Sequence, residues 1–317
     1  MPPSIATRLA PSKRSLLRAA QWILIIAVLA FATAELSRQW DAVRAAVATA
    51  ELKWVPVLTS CALVLVSYVM LVEAWRRTVA GLGGSIGYLD AATIWFISNL
   101  GKYVPGKVWQ LGSLALLARE RGVPPMAAAG AALVVTMINT VAGFGVVALT
   151  GVTVLDLPVL AVIAIVVIGA LLMLSPHIVP RLASVLARVI GRDIPVRAPT
   201  AGSLWYAAAA STASWLLYGI AFYLLALGVG IQPAGAPAAY VAVFAGSYLL
   251  GFLAIFAPGG VGVREVVMAA ALTKVGMPQG PAILLVLASR LWLTLLELIP
   301  ALAFLVHYRL RYRPQHG

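Results

Sequence analysis

Charge is the scarcest commodity in this chain. Only 10% of its 317 residues are Asp, Glu, Lys or Arg, against roughly 25% in an ordinary soluble protein. Hydrophobic residues make up 62%, and the mean hydropathy is +0.99. No stretch is long and polar enough to form a separate soluble domain, so any activity must be built from spanning segments. Cysteine occurs once, as Cys61 inside an apolar run, which excludes an intrachain disulfide and a cysteine metal site. The three histidines, His177, His307 and His316, fall at or beyond the ends of apolar runs and do not cluster, so they read as plain surface and no metal is expected. Acidic residues number 10 against 23 basic ones, a net charge of +13. In a soluble protein that excess would suggest nucleic acid. Here the cations sit in short loops beside apolar runs, where topology and anionic headgroups account for them.

Catalytic signatures are missing as well. Neither H-E-x-x-H nor G-x-S-x-G occurs, and no paired aspartates. Gly101 to Lys107 spells G-x-x-x-x-G-K, but Val108 stands where a nucleotide loop needs Ser or Thr, and no strand precedes it. The glycines of GGVGVRE likewise lack a strand-turn-helix context. The expectation is a non-enzyme with no catalytic residues and no cofactor.

What the chain does contain is continuous Leu-, Ala-, Ile- and Val-rich runs, which read as helices rather than alternating barrel strands. Six of them, at about 19–36, 54–75, 125–151, 157–175, 203–228 and 281–306, could cross ~30 Å of hydrocarbon at 1.5 Å per residue. The first follows Lys13, Arg14 and Arg18 and ends near Ala32-Thr33-Ala34; its length favours an uncleaved span over a signal peptide. Two stretches have interfacial patterning: Trp40, Val43 and Val47 on one stripe, and Leu182, Val185, Leu186 and Val189 on another.

Two further elements are alike. NLGKYVPGKVWQ (99–110) and AIFAPGGVGVRE (254–265) each set a Pro-Gly break and then a cation inside an apolar run. A helical pattern resumes, then stops at a Gly-x-Pro (Gly122, Pro124; Gly276, Pro278), 17 positions after Pro105 and 18 after Pro258. The arms are 88–104 with 106–120, and 237–257 with 261–276. The later arms, about 15 residues or roughly 22 Å, are too short to cross comfortably, so each pair reads as a re-entrant helical hairpin. Broken helices at matching places in two halves point to a transporter's substrate site.

Charge distribution orients the chain. Of the 23 cations, Lys102, Lys107, Arg264 and Arg290 fall within apolar segments, and Arg38, Arg44, Lys53 and Lys274 fall outside the membrane. The remaining 15 share the side of the N-terminus, which predicts N-in and C-in topology in the cytoplasmic membrane. The fold class is then an all-α integral membrane bundle, one domain over 1–317. Repeat units 54–151 and 203–307 are separated by the single span 157–175, hence inverted relative to each other.

A charge at the hydrocarbon centre costs about 2.5–3.5 kcal/mol on insertion scales, so each needs a partner, a cavity or an escape route. Helix N-termini starting after Pro105-Gly106 or Gly259-Gly260 expose N–H groups to an anion, and Lys107 and Arg264 lie in their first turns. The duller alternatives are snorkelling for Lys102 and Lys107, a purely structural Arg264–Glu265 pair, and an Arg290–Glu297 pair seven residues apart on one helix face. Glu297 could also satisfy Arg264. Glu73 reads as an interfacial partner of Arg76 and Arg77, Asn99 and Asn139 as interhelical hydrogen-bonders, and Trp22, Trp54, Trp75 and Trp205 as belt anchors.

On the motifs N-L-G-K-Y-V-P-G-K-V-W-Q and P-G-G-V-G-V-R-E, with Trp75-Arg76 in support, the chain resembles the lysylphosphatidylglycerol synthase transmembrane-region family, which includes the flippase half of the multiple peptide resistance factors. The resemblance implies a polytopic bundle that moves a lipid between leaflets. By motif position it carries over Lys102, Tyr103, Pro105, Gly106, Lys107 and Trp109 from the first element, and Pro258, Gly259, Gly260, Gly262, Arg264 and Glu265 from the second. Ten residues follow His307, leaving no room for the aminoacyl-transferase domain of the bifunctional members. The expected substrate is an anionic phospholipid, an aminoacylated phosphatidylglycerol or a polyprenyl-phosphate-linked lipid, bound by those residues with Arg290. Glu265 and Glu297 are the proton-coupling candidates. A second copy of the chain and a separate lipid-modifying enzyme are further candidate partners. A transporter of a small water-soluble anion fits the same cations but would need a closed polar cavity. A membrane-embedded lipid or glycan transferase would need an acid, base or metal cluster that the residues do not supply.

Overall fold

The computed structural model describes residues 44, 51–103, 108–151, 199–254, 260 and 262–311; the side chains of 102, 103, 108, 109 and 311 are outside the description. The spans expected at 19–36 and 157–175 and both interfacial stripes lie outside the described residues, apart from helical Arg44.

Among the described residues every regular element is helical: α1 (Trp54–Gly81), α2 (Tyr88–Asn99) continuing as a 3-10 turn (Leu100–Tyr103), α3 (Val108–Arg119), α4 (Pro125–Gly151), α5 (Ala201–Gly228), α6 (Pro237–Leu253), α7 (Val263–Lys274) and α8 (Gln279–Arg311). Four of them, α1, α4, α5 and α8, are long and apolar enough to cross a membrane. The chain is a multi-pass helical membrane protein.

The Gly-x-Pro stops act through their backbone. Gly122 and Gly276 adopt φ of 73° and 94°, conformations that cost glycine nothing. They let the next N–H turn back to the helix, Val123 to the Ala118 carbonyl and Met277 to the Leu272 carbonyl, each at 3.0 Å. Pro124 and Pro278 then open the following helices by accepting from Ala128 and Ala282. α3 and α7 thus end alike, and α4 and α8 begin alike.

α1 and α5 form the largest helix contact and run antiparallel. The Lys53 N–H donates to the Gly228 carbonyl at 2.8 Å at one end, and the Arg77 guanidinium lies 4.0 Å from the Tyr206 ring centroid at the other. Both ends of the α2–α3 pair lie at the Arg77 end: a Cβ on Gly84 would stand 2.7 Å from Val79 of α1 and 3.1 Å from Val123, just past α3, and Arg121 pairs with Asp90 at 2.8 Å. Where α2 gives way to α3, the Gln110 amide donates to Asn99 Oδ1 at 2.5 Å, an interhelical bond of the kind the sequence predicts. The α6–α7 pair opens at the other end, with Tyr240 against Tyr223 and Gly276 beside Ala234. α4 packs on α6, and its counterpart α8 packs on α2.

Small residues allow these approaches. A Cβ on Gly219 of α5 would stand 2.4 Å from the Val241 Cα of α6, the close helix contact that membrane interfaces reach with glycine. Trp54 and Trp205 are exposed, as belt positions should be, but Trp75 is 1% exposed. Its indole donates to the Ala128 carbonyl at 3.2 Å, tying α1 to α4. The anchor reading fails at Trp75 because an adjoining helix covers that face.

Candidate functional site

α7 starts at a tight tip. Gly260 and Gly262 both have positive φ (69° and 86°), and a Cβ on Gly260 would stand 2.9 Å from the Gly251 carbonyl oxygen. A Cβ on Gly251 would in turn stand 2.9 Å from the Arg264 Cβ. These glycines press the start of α7 onto α6 and fix where Arg264 projects.

Arg264 is 6% exposed. Its guanidinium carbon lies 4.9 Å from the Tyr248 ring centroid and 5.6 Å from that of Phe244. Cation–π attraction of about 2 kcal/mol in a desolvated setting offsets part of the burial cost. It does not satisfy the N–H groups: among the described residues the buried Nη2 has no hydrogen-bond partner. A buried donor left unpaired costs ~1–3 kcal/mol, so the site has an unmet demand for an acceptor, which a phosphate or carboxylate oxygen would fulfil.

Glu265 does not meet that demand, because adjacent residues of a helix face different ways. Its Oε2 accepts from the Gly262 N–H at 2.6 Å, capping α7, and its Oε1 accepts from Arg290 Nη1 at 3.1 Å. The ion pair therefore joins α7 to α8, and Arg290 pairs with Glu265. Glu297 lies within Coulombic range of Arg264, Tyr68 and Tyr218. Replacing Glu265 with Gln should keep the cap and weaken the link to α8. The expected cost is about 1–2 kcal/mol for a partly exposed pair, or roughly 1.5–3 °C in the thermal midpoint of the detergent-solubilised protein.

Rings radiate from Arg264 through the middle of the bundle. Phe244 stacks on Tyr218 (5.6 Å), Tyr218 meets Tyr68 (6.2 Å), and Tyr68 meets Trp95 and Phe96 of α2 (5.5 and 5.7 Å). An apolar, aromatic path thus joins the inner half of α2 to the start of α7, across α1 and α5. Sequence reasoning missed Tyr68, Tyr218, Phe244 and Tyr248. The available signal was their place inside apolar runs, away from the belts where tyrosines usually sit.

Of the residues singled out in the sequence, Gly260, Arg264, Glu265 and Arg290 come together here. Pro105, Gly106, Lys107, Pro258 and Gly259 lie outside the described residues. So do the side chains of Lys102, Tyr103 and Trp109, whose backbones belong to the 3-10 turn and α3. Glu73 bonds both Arg76 and Arg77 at the end of α1, as its spacing predicts. The bond at Asn139 is made by its main-chain carbonyl, which accepts from Trp215 Nε1 at 2.8 Å.

No curated protein matches the chain. The family model of the lysylphosphatidylglycerol synthase TM region matches residues 19–301. The chain belongs to the lysylphosphatidylglycerol synthase TM-region family.

Proposed function

We propose that this protein moves a phosphate-bearing lipid, an anionic phospholipid, an aminoacylated phosphatidylglycerol or a polyprenyl-phosphate-linked lipid, between the leaflets of the cytoplasmic membrane. The observation that carries the reading is the buried, part-satisfied guanidinium of Arg264 at the start of a short helix, ringed by aromatics. The headgroup phosphate binds Arg264 while the hydrocarbon tails stay among lipid. No covalent bond is made or broken.

On this reading α2–α3 and α6–α7 are re-entrant hairpins of two inverted units. Antiparallel α1 and α5, and helix pairs that open at opposite ends of them, support it. Twelve-residue α3 and α7 rise only about 18 Å, well short of a crossing. The end with Arg76, Arg77, Arg119 and Arg121 faces the cytoplasm. Rocking of one unit against the other would expose Arg264 to each side in turn. Glu265, held by Gly262 and Arg290, and Glu297, within Coulombic range of Arg264, are the proton-coupling candidates.

The test is leaflet exchange of fluorescent phosphatidylglycerol and of a fluorescent prenyl phosphate in proteoliposomes. At least one should exchange at least tenfold faster than in protein-free vesicles, and an imposed proton gradient should bias it in wild type but not in Glu297→Gln. Exchange no faster than in protein-free vesicles for both lipids would remove the reading; gradient-driven bias surviving in Glu297→Gln would remove only the coupling role.

A further inference from the structure

The last helix is tied to different partners on either side of a proline. Before Pro300, α8 is fixed to α7 by the Arg290–Glu265 pair and by Ser289 against Met268. Beyond it, Phe304 stacks on Phe96 of α2 at 5.2 Å, and the Tyr308 hydroxyl donates to Glu120 Oε2 at 2.7 Å. The Tyr308 ring lies 5.1 Å from the guanidinium of Arg121, which itself bonds Asp90. Pro300 stands inside the helix. It cannot donate to the Leu296 carbonyl, which makes it the natural place for α8 to bend.

The outer segment of α8 also walls a cavity of about 320 Å³ between itself and the base of the α2–α3 pair, lined by Tyr88, Asp90, Thr93, Arg121, His307 and Tyr308. Inward of that cavity lies the Phe304–Phe96 stack, and Phe96 is the first ring of the path through Tyr68 and Tyr218 to Phe244, beside Arg264. One rigid movement of the segment past Pro300 would break the Tyr308–Glu120 bond, part Phe304 from Phe96 and open the cavity toward the aromatic path. The segment's far side carries Leu302, Val306 and Leu310, all exposed, with exposed Arg309 beside them near the helix end, so the swing is toward lipid.

We propose that α8 beyond Pro300 is a gate: it closes the cytoplasmic portal through which a lipid phosphate headgroup reaches Arg264, with Tyr308 on Glu120 and Arg121 as its latch. This rests on the translocation reading above, but the gate itself can be tested without transport.

In a Cys61→Ser background, Thr93→Cys places a thiol on the cavity wall, to be labelled with a water-soluble maleimide. Adding Tyr308→Phe should raise the labelling rate about fivefold by removing one latch bond, and Pro300→Ala should lower it. Equal rates in all three would overturn the gate. Should Thr93→Cys not fold, spin labels on the exposed pair Gly87→Cys and His307→Cys replace it. Their distance distribution should lengthen with Tyr308→Phe, and an unchanged distribution would overturn the gate. In proteoliposomes, joining Glu120→Cys to Tyr308→Cys with a short cleavable bis-maleimide should slow lipid exchange at least tenfold, reversibly on cleavage. Unimpeded exchange in the joined protein would overturn the gate and leave translocation standing. Absence of exchange in wild type would remove translocation, while the labelling and distance arms still decide whether the segment moves.

Discussion

Arg264→Ala is expected to slow leaflet exchange at least tenfold without lowering thermal stability. The two readouts separate a binding role from a structural one. A charge-assisted hydrogen bond to a phosphate contributes about 1.5–3 kcal/mol, which corresponds to roughly 10- to 150-fold in affinity. Stability should hold, because the lost packing and ring contacts are offset by removing a buried cation with an unpaired Nη2 and, among the described residues, no ion-pair partner within salt-bridge distance. Arg264→Lys should also fall well below wild type. A compact ammonium cannot lie flat over Tyr248 and Phe244 while presenting a second edge of donors to a ligand. Exchange in a proteoliposome assay, paired with the melting of the same preparations, decides the matter. Wild-type exchange in Arg264→Ala, or an equal loss of exchange and stability, would make Arg264 a packing residue.

Gly219→Ala should be the most damaging single methyl in the described core. A Cβ there would meet the Val241 Cα at 2.4 Å and its Cγ2 at 2.6 Å. The first of these is backbone and cannot rotate away, so α5 and α6 must separate. Overpacking of this kind costs about 3 kcal/mol, roughly 4–5 °C in thermal midpoint for a chain of this size. α5 and α6 carry Tyr218, Phe244 and Tyr248, so the displacement should also disturb the rings around Arg264 and slow exchange. Gly112→Ala is the control: nothing lies within 4 Å of a Cβ built there, and its midpoint should match wild type. Equal midpoints for the two variants would mean the helices do not approach as described.

The long helices are legible in the sequence because a continuous apolar run of more than 20 residues has few alternatives. Their starts at Pro125 and Gln279 are legible from the Gly-x-Pro signals just before them. The first arms of the two broken elements, expected at 88–104 and 237–257, do not run on as uniform α-helix. α2 tightens into a 3-10 turn at Leu100, and α6 ends at Leu253. Hydropathy does not register this, since Leu100 and Ala254 are apolar like the helices they end. Ion pairing was the least legible feature. Arg290 and Glu297 share a helix face by spacing, yet Arg290 pairs with Glu265, 25 positions away, because the turn at Gly276 folds α8 back against α7. Periodicity reports which residues share a face and is silent on what the next helix brings to it. The same limit hid Trp75, whose span-end position suits a belt until α4 covers it, and the ring path, whose members come from four helices.

Translocation by this route requires a lipid phosphate group to lie against Arg264, inside the bundle and not on its rim. A phosphatidylglycerol or prenyl-phosphate analogue with a photoreactive group beside the phosphate, crosslinked in proteoliposomes and mapped by peptide mass spectrometry, addresses that claim most directly. The account predicts adducts on the α6 peptide carrying Phe244 and Tyr248, depleted by Arg264→Ala. Adducts confined to lipid-facing positions such as Leu291 and Leu295, and equally abundant in Arg264→Ala, would contradict it.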